Sequence, residues 1–499
     1  MLTQFRKSTR ERMSLVAILF FLSLWARVGF TAEAAIDIRE CGAIPDGKTV
    51  CTAAIQQAID RCAAQGGGVV RVPSGTWLTG TLYLESRVTL RLDKGSTLLG
   101  SRDRTDYGRP RKAAAGDQPS SFAYGAILAG ANLHEVAITG EGTIDGQGDA
   151  FRDKTKLRPK AIYLTGCRDV LVENVTLRNA GSWMQHYRDC DRLTIRKITV
   201  FNHVSFNNDG LNIDSCRDVT IADCRVDSDD DGIVLKSLSR KPCQNVTIRG
   251  CVVSSHCNAL KLGTESGGGF QNIRIADCQV HSPRDSQAIY GRQRGLGGIA
   301  LEMVDGGTLQ NVDVSQIKID GVSVAIFLRL GNRARIYEPG GAKPGVGRFS
   351  GVTLSDITAT NTSEIGCSIT GLPGHPVEDI TLSDIAIGFD GGGTKEQTTR
   401  AIPEREEAYP ESTMFGVLPA YGFFCRHAKG LTFRNVKLHT AQPDLRHAMV
   451  FDDVEDLQID GLDVPQPDGA ADPIRLTRVR GAVVRNGPKP VTAEPTPGR

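Results

Sequence analysis

The chain has 499 residues, of which 40% are hydrophobic and 23% are charged, proportions that are ordinary for a globular protein. Its formal net charge of +2, with Lys and Arg spread along the chain, argues against a nucleic acid or an acidic membrane held by bulk electrostatics. This length suggests two or three ordinary domains, but repeat folds grow by adding turns and escape that estimate. Internal repeats therefore decide the fold class.

The N-terminus has the pattern of an export signal. Its positive start consists of Arg6, Lys7, Arg10 and Arg12. An apolar run follows from Ser14 to Ala26, and Ala32-Glu33-Ala34 resembles a small-x-small cleavage site. The run is too short for a permanent membrane anchor. We predict a signal peptide over residues 1–34 and a secreted or periplasmic protein with no membrane partner after cleavage; an uncleaved anchor is the alternative.

Residues 52–64 show a helical period. The apolar face consists of Ala54, Ile55, Ala58, Ile59 and Cys62. Gly66-Gly67-Gly68 ends the helix. We predict that this helix caps the open end of the following sheet, where it would block an exposed edge. Residues 35–110 are thus expected to form the cap and the first turns.

One pattern of short alternating strands returns through most of the remaining chain. Its copies include RDVLVENVTL from Arg168, RDVTIADCRV from Arg217, QNVTIRGCVV from Gln244 and KGLTFRNVKL from Lys429. The tight copies recur about every 23 to 28 residues and contain no helix. Such a unit cannot bury its own apolar face, so stacked turns must share one core.

The repeat predicts an all-β fold, a right-handed parallel β-helix (solenoid) with an N-terminal capping helix. Residues 111–485 would form its main body. A β-propeller is the structural competitor, but its blades need about 40 or more residues, which the tight repeats do not supply. The proline-rich stretch over residues 486–499 predicts a disordered tail.

Thirteen cysteines accompany the repeats. Five of them recur at equivalent places in successive repeats, namely Cys216, Cys224, Cys243, Cys251 and Cys278. A cysteine at such a place serves as a small buried apolar residue. We expect stacked core thiols, with a disulfide framework as the alternative.

The richest polar segment, residues 205–237, holds two acidic motifs about one turn apart. They are Asn207-Asn208-Asp209-Gly210 and Asp229-Asp230-Asp231-Gly232. Adjacent turns lie about 4.8 Å apart, so the carboxylates can converge on one face. Close carboxylates repel, so one is expected to keep its proton at neutral pH, as glycoside hydrolysis requires. From composition alone, the alternatives to a catalytic group, namely a solvated acidic turn or a Ca²⁺ site, are about equally favoured.

His256 falls about one turn after the second motif. At that position it could stack beside the aspartates and tune their protonation or contact a substrate. The alternative is a structural histidine in a loop, which is the commoner role for a lone histidine.

These motifs resemble glycoside hydrolase family 28, the polygalacturonase-like hydrolases, whose pattern is Asn-x-Asp, Asp-Asp, Gly-His-Gly and Arg-Ile-Lys. Asn207 to Asp209 matches the first element, and Asp230-Asp231 matches the second. His256 stands where the third belongs, flanked by Ser255 and Cys257 in place of glycines. IDIRECGAIPDGKTVCTAAIQQAID also resembles the opening of pectin-active β-helices, and the resemblance covers most of residues 36–465.

The resemblance implies a secreted glycosidase that cleaves a pectin-type polysaccharide or oligosaccharide, related to galacturonan or rhamnogalacturonan, with inversion of configuration. Asp230 would be the general acid, Asp209 and Asp231 would activate the water, and Asn207 and His256 would support the site. No metal and no cofactor would be needed. We expect a monomer whose partner is a polysaccharide or oligosaccharide, with no nucleic acid.

One motif departs from the family pattern. The stretch that should carry Arg-Ile-Lys holds Ala300-Leu301-Glu302. In polygalacturonases those basic residues contact the substrate carboxylate, so a neutral sugar such as rhamnose is an alternative at this place. Lys261, Arg329 and Arg333 are expected to bind a uronate instead.

Three insertions are expected to shape a cleft, because loops on a rigid scaffold commonly form binding sites. They lie around Arg284 to Gly297, Asn332 to Gly347 and Phe389 to Phe423. If they wall off one end of the groove, the enzyme would act on chain ends. Two other functions stay open on the same fold: a Ca²⁺-dependent lyase that uses Asp229 to Asp231, and a non-catalytic carbohydrate-binding β-helix.

Overall fold

The computed structural model describes residues 35–108, 125–337 and 340–493. The signal peptide expected over residues 1–34 lies outside the described residues, as do the last six residues of the chain. Within the described ranges, the search for a helix long and apolar enough to cross a membrane finds none.

Strands make up most of the described chain. The first group contains β1 (Ile36–Asp37), β2 (Asp46–Val50), β3 (Gly68–Val72), β4 (Gly75–Thr79), β5 (Leu82–Tyr83), β6 (Val88–Leu92), β7 (Ser96–Gly100), β8 (Ala126–Ala131), β9 (His134–Gly140) and β10 (Thr143–Asp145). The second group contains β11 (Lys160–Thr165), β12 (Arg168–Glu173), β13 (Thr176–Arg178), β14 (Gln185–Arg188), β15 (Asp191–Arg196), β16 (Thr199–Asn202), β17 (Leu211–Asp214), β18 (Arg217–Ala222), β19 (Arg225–Ser228), β20 (Ile233–Ser237), β21 (Cys243–Arg249), β22 (Val252–Ser255), β23 (Asn258–Ser266) and β24 (Gly269–His281).

The third group contains β25 (Gly297–Met303), β26 (Thr308–Asp320), β27 (Val324–Leu330), β28 (Arg348–Thr362), β29 (Cys367–Thr370), β30 (Val377–Gly391), β31 (Ala420–Gln442), β32 (His447–Asp463), β33 (Ile474–Arg480), β34 (Val483–Arg485) and β35 (Val491–Thr492). The helical elements are the α-helix α1 (Thr52–Ala64) and short 3₁₀ turns at Ile38–Cys41, Arg104–Asp106, Gly148–Phe151 and Lys395–Thr399.

The strands pair in parallel with their equivalents one turn away, which confirms the predicted parallel β-helix. In the middle of the chain each strand pairs with the third strand after it, as in β14 with β17, β15 with β18 and β16 with β19. We call one of the three resulting sheets the site face. It runs through β11, β14, β17, β20, β23, β25, β27 and β29 and continues into the first parts of β31 and β32.

A continuous apolar core fills the inside of the β-helix. On the site face, alternate residues such as Leu211, Ile233, Leu260 and Ile299 point inward and are at most 1% exposed. The cysteines extend this core in two stacks along successive turns. One stack contains Cys167, Cys190, Cys216 and Cys243, and the other contains Cys224, Cys251 and Cys278. All thirteen cysteines are free thiols, which confirms the expectation of stacked core thiols.

The corner before the second sheet uses one residue of left-handed conformation per turn. Asp218, Asn245, Asn272 and Asn311 have φ values of 55° to 56°, a region that Asn and Asp tolerate best after glycine. Their side chains also bond to one another: Asn245 donates to Asp218 at 2.8 Å and Asn272 donates to Asn245 at 3.0 Å. We call this series the corner ladder.

Helix α1 forms where the sequence predicted it. It buries Ile55, Ala58, Ile59 and Cys62, and its Gln56 side chain exchanges two hydrogen bonds with the backbone of Tyr83 in β5. Its role as a cap of the sheet edge stays a prediction. The tail differs from expectation, because Val491–Thr492 pair with β33 as strand β35. The disordered region therefore does not begin at residue 486.

A second, smaller apolar cluster lies on the outer side of the site face. It consists of Ala300, Val324, Phe327, Ile402, Phe415, Leu418, Ala420, Phe424 and Val450. Six of these nine side chains belong to strands, and Ile402, Phe415 and Leu418 belong to the segment between β30 and β31. We call this segment, residues 392–419, the covering loop. Apolar outward positions on the late strands thus hold the loop against the sheet.

Candidate active site

The two acidic motifs end at the same register on consecutive turns. Gly210 and Leu211 donate their N–H groups to the carbonyls of Asp231 and Gly232, both at 2.9 Å. This pairing sets Asp209 beside Asp231 at the start of β17 and β20. A Cβ on Gly232 would come within 2.4 Å of Val253 and 2.6 Å of the Ala259 carbonyl, so the close approach of the turns requires glycine there.

Buried amides hold the strand entry that carries Asp209. Asn202 donates to the carbonyl of Asp209 at 3.0 Å, and Asn208 donates to the carbonyl of Ser182 at 2.8 Å. Both amides are fully buried. These amides donate to backbone carbonyls that lie just outside the strands. They therefore hold the loop before β17 in place although it is not part of a strand.

The three aspartates form a buried group of interacting carboxyls. Asp209, Asp230 and Asp231 are 2%, 7% and 4% exposed. Burial raises the pKa of Asp230 to about 7, and the charge of Asp231 adds to that shift. Burial, followed by the charge of Asp230, raises the pKa of Asp209 well above its usual value. The group therefore retains protons near neutral pH, as the sequence predicted.

Two lysines supply the counter-charge. The ammonium of Lys261 lies 3.1 Å from Asp231, and that of Lys236 lies 3.7 Å from Asp209 and 3.1 Å from Glu265. Burial lowers the pKa of Lys261, but the carboxylates of Asp231 and Glu302 outweigh it and the net direction is upward. Both lysines are therefore charged.

Asn207 lies where the sequence placed it. Its side-chain N–H group points to a carboxyl oxygen of Asp230 at 3.4 Å, and its carbonyl oxygen accepts from Arg158 at 3.1 Å. Ser255 and Ser228 donate to the backbone carbonyl of Asp230 at 2.7 Å and 2.9 Å. These contacts orient Asp230 from both neighbouring turns.

His256 lies one turn after the second acidic motif, next to the loop around Arg292. Its Nδ1 lies 2.9 Å from the carbonyl of Arg292, and its ring meets His203 edge-on at 5.4 Å. Burial lowers its pKa, which keeps the ring neutral. The turn spacing predicted its height along the β-helix, but its bonds lead to the loop around Arg292. These bonds hold that loop, and the role of His256 beside the aspartates stays a prediction.

Asp229 also holds this loop. Its two oxygens accept the N–H groups of Ile289 and Tyr290 at 2.6 Å and 2.8 Å. Among the described residues, the group whose ligand atoms could meet at a metal ion comprises His203, Asp229 and His256, with separations up to 4.8 Å. Within the part of the chain that the structure describes, Asp230 and Asp231 are not members of that group.

Arg329 is not placed for a substrate, which corrects the sequence-based expectation, whereas the expected role of Arg333 stays a prediction. Arg329 is 1% exposed and donates to the carbonyls of Gly371 and Glu404 at 3.2 Å and 2.6 Å. Arg333 donates to Asp305 at 3.0 Å. The guanidinium group of Arg329 anchors residues 392–419, which cover the strand that carries it. Arg333 lies beside the ring of Tyr409, at 5.8 Å from its centroid.

On one side of the aspartates lies a group that we call the late flank: Asn258, Lys261, Glu302, Tyr409 and Glu411. The sequence alone singled out Lys261 and Glu302, but it did not indicate Asn258 and Glu411. Glu302 is fully buried, one of its oxygens has no hydrogen-bond partner, and burial raises its pKa to about 8. Glu411 accepts from Asn258 at 3.0 Å, and burial raises its pKa. The ring centroid of Tyr409 lies 5.7 Å from the Lys261 ammonium.

On the other side lies the early flank, formed by Arg158, Lys160 and Trp183. The ring centroid of Trp183 is 5.4 Å from the ammonium of Lys160 and 4.7 Å from that of Lys236. Burial lowers the pKa of Lys160 to about 7, and the neighbouring charge of Arg158 contributes. The backbone N–H of Met184 donates to the Asp209 carbonyl at 2.9 Å, which sets this flank one turn before the aspartates.

The sequence and the fold were compared with known proteins. The family model described as glycosyl hydrolases family 28 matches residues 62–408. A probable polygalacturonase of Vitis vinifera is 38% identical over 216 residues, which are 39% of this chain and 43% of that protein. The chain therefore spans less than half the length of this curated relative.

Two solved structures resemble the fold. An exopolygalacturonase from Thermotoga maritima aligns with a TM-score of 0.60 at 22% identity, over 72% of this chain and 87% of that chain. PfbA, a surface adhesin of Streptococcus pneumoniae, aligns with a TM-score of 0.56 at 16% identity, over 82% of this chain and 92% of that chain. These likenesses show the β-helix, and they do not choose between an enzyme and a binding protein.

Proposed function

Because this chain belongs to glycosyl hydrolases family 28, we propose that it hydrolyses an O-glycosyl bond of a pectin-type polysaccharide or oligosaccharide. The observation that carries the proposal is the buried group of Asp209, Asp230 and Asp231 with its two lysine counter-charges. A relative named polygalacturonase favours a galacturonan-related backbone. The group combines Asp230, whose pKa is raised to about 7, with two carboxyls that each lie beside a lysine ammonium.

Asp230 acts as the general acid in the proposed reaction. With its pKa near 7 it still carries a proton in neutral solution and delivers it to the leaving glycosidic oxygen. Asn207 and the two serines on its backbone carbonyl fix its orientation. The acid is thus both protonated and positioned.

Asp209 and Asp231 activate the water. Asp231, which lies 3.1 Å from the ammonium of Lys261, accepts a proton as the water oxygen attacks the sugar carbon. The glycosidic bond breaks as the new bond forms, and the configuration inverts because the attack comes from the opposite face. Exchange with solvent restores the proton on Asp230.

The covering loop favours attack at a chain end. Its Ser412 donates to Asn258 at 2.7 Å and its Glu411 accepts from Asn258, one turn beyond Asp231. The second apolar cluster fixes the loop on the strands that follow. We propose that the loop closes this side of the aspartates to a long chain. We also propose that the protein is secreted or periplasmic and monomeric, the former from its N-terminal export pattern.

The test is an activity screen of the purified protein on homogalacturonan, rhamnogalacturonan and their oligomers, with and without EDTA. Reducing ends and the ultraviolet absorbance of unsaturated products are both followed. We expect new reducing ends without absorbance, unaffected by EDTA. Asp230→Asn should lower kcat by about 10²- to 10⁴-fold, the usual contribution of a general acid.

Asp223→Asn is the matched control, since Asp223 is exposed and its φ of 57° suits asparagine. Absorbance that EDTA removes would reassign the protein to the lyases. Sugar binding without any product, unchanged in Asp230→Asn, would instead favour a carbohydrate-binding β-helix.

A further inference from the structure

Two histidines and one aspartate occupy the same register on three successive turns. His203, Asp229 and His256 directly follow β16, β19 and β22, which pair in parallel. The backbone pairing continues past the strand ends, because Asp229 donates to the carbonyl of Asn202 at 3.0 Å and His256 donates to that of Ser228 at 3.2 Å. The three side chains therefore stack along the β-helix, and His203, the most exposed of them, is only 8% exposed.

The two imidazole rings converge over Asp229. Residues two turns apart are separated by about 9.6 Å along the β-helix, twice the spacing of neighbouring strands. The ring centroids of His203 and His256 lie 5.4 Å apart. One ligand atom from each of the three residues lies within 4.8 Å of the other two. Zn²⁺ bonds of about 2.0–2.1 Å hold tetrahedral ligands about 3.3 Å apart, so these atoms need to approach by at most about 1.5 Å.

Each histidine has one ring nitrogen held by a partner outside the group. His203 Nε2 lies 2.7 Å from a carboxyl oxygen of Asp227, and His256 Nδ1 lies 2.9 Å from the carbonyl of Arg292. Carboxylates and backbone carbonyls hold metal-bound histidines in the same way. The held nitrogen carries the proton, and the other ring nitrogen keeps its lone pair for the metal.

The other ring nitrogens are available to a ligand. Within the described ranges, His203 Nδ1 is buried and has no hydrogen-bond partner. His256 Nε2 has a 3.4 Å contact with the hydroxyl of Ser286. Each carboxyl oxygen of Asp229 accepts one backbone N–H group, which leaves further lone pairs. A metal ion would satisfy the buried nitrogen that the fold leaves unpaired.

We infer that His203, Asp229 and His256 form a binding site for a transition metal ion, and that Zn²⁺ is the ion that fits two imidazoles and one carboxylate. The role of the ion is structural. Asp229 and His256 also bond to the backbone of residues 289–292, in the loop between β24 and β25. The ion therefore ties this loop to three turns of the β-helix.

Zinc binding is measured by calorimetry on the purified protein after treatment with EDTA and removal of the chelator, with ZnCl₂ as the titrant. We expect one bound ion per chain and a higher midpoint of thermal unfolding in ZnCl₂, because a ligand that binds the folded state stabilises it. CaCl₂ should have neither effect, since calcium prefers oxygen ligands. Absence of zinc binding, or an equal effect of CaCl₂, would overturn the inference.

Two substitutions locate the ion. Asp227→Asn removes the charge behind His203 and should weaken zinc binding about 10- to 100-fold, the usual effect of losing a partner that holds a metal-bound histidine. His203→Asn removes a ligand and should weaken binding further. Asp227 is half-buried, so its variant serves if His203→Asn does not fold. His375→Asn, at an exposed histidine, is the control, and equal affinity in all three variants would overturn the site.

Proteolysis tests the structural role. Arg292 in the loop and Arg240 after β20 are both exposed. ZnCl₂ should slow tryptic cleavage after Arg292 and leave cleavage after Arg240 unchanged, and equal slowing at both sites, or none, would overturn this role. The site shares no ligand with Asp209, Asp230 and Asp231, and the hydrolase assay is run in EDTA. Failure of the zinc experiments would therefore leave the proposed hydrolase function standing.

Discussion

The outer surface of the site face changes character along its length. On the early turns one outward row contains Tyr163, His186 and Asn212; on the late turns the same row contains Ala300, Phe327, Phe424 and Val450. The first stretch leads to the aspartates, whereas the second is covered by residues 392–419. The same strand register therefore forms an open surface on the early turns and a surface covered by a loop on the late turns. The outward side chains determine the difference.

The strongest way to break this contrast is to remove an aromatic ring from the covered stretch. Phe424→Ala leaves a cavity under the covering loop, and such truncations cost about 3–5 kcal/mol in well-packed sites. We expect the loop to detach and the protein to begin cutting inside chains. The check is the fall in viscosity of the polymer per reducing end formed, which should steepen. Ile44→Ala, at an exposed apolar residue, is the control, and an identical product pattern in both variants would contradict the role of the loop.

The open stretch is tested by pH. The acid must be protonated to work, and its folded pKa is about 7. As pH rises through 7, Asp230 loses its proton, so kcat/KM should fall about tenfold for each further unit. A pH profile measured on a short oligomer shows this alkaline limb. A limb that begins near pH 4 would mean that Asp230 is an ordinary carboxylate.

A smaller change should move that limb. Lys261 is one of the groups that lower the pKa of Asp230. Removing its charge in Lys261→Met raises the pKa of Asp230, so the alkaline limb should move to higher pH while the maximum rate falls. Lys241→Met, at an exposed residue, supplies the comparison. A limb that stays in place would show that Lys261 does not influence the acid.

The smallest effect is expected in the interior, which both stretches share. All thirteen cysteines are thiols, and most of them stack in the core. A reducing agent has no bond to break, so the midpoint of thermal unfolding should not change when dithiothreitol is added. A fall of several degrees would reveal disulfides and contradict the stacks.

The fold was predictable because periodicity is local information. Alternation and turn length within each repeat identify the strands, and the spacing of Asp209 and Asp230 places them on adjacent turns. The late flank was not predictable in the same way, since Glu411 lies 153 residues from Asn258, to which it bonds. Spacing sets the height of His256 along the β-helix but not the direction of its ring. The sequence around Arg329 suggested a cation in an open cleft. The covering loop, which is distant in sequence, buries this side chain and bonds to it.

The corner ladder has a consequence for how the protein is produced. Asn245 heads the sequence Asn-Val-Thr, an acceptor for N-linked glycans in a eukaryotic secretory pathway. The nitrogen that would carry the glycan is the atom that donates to Asp218, and Asn272 donates to the carbonyl oxygen of the same amide. A glycan added before folding would therefore occupy a rung of the ladder. Expression in a yeast host is expected to yield less folded protein than expression in bacteria, and Thr247→Val, which removes the acceptor sequence and leaves the Asn245 amide in place, should remove the difference.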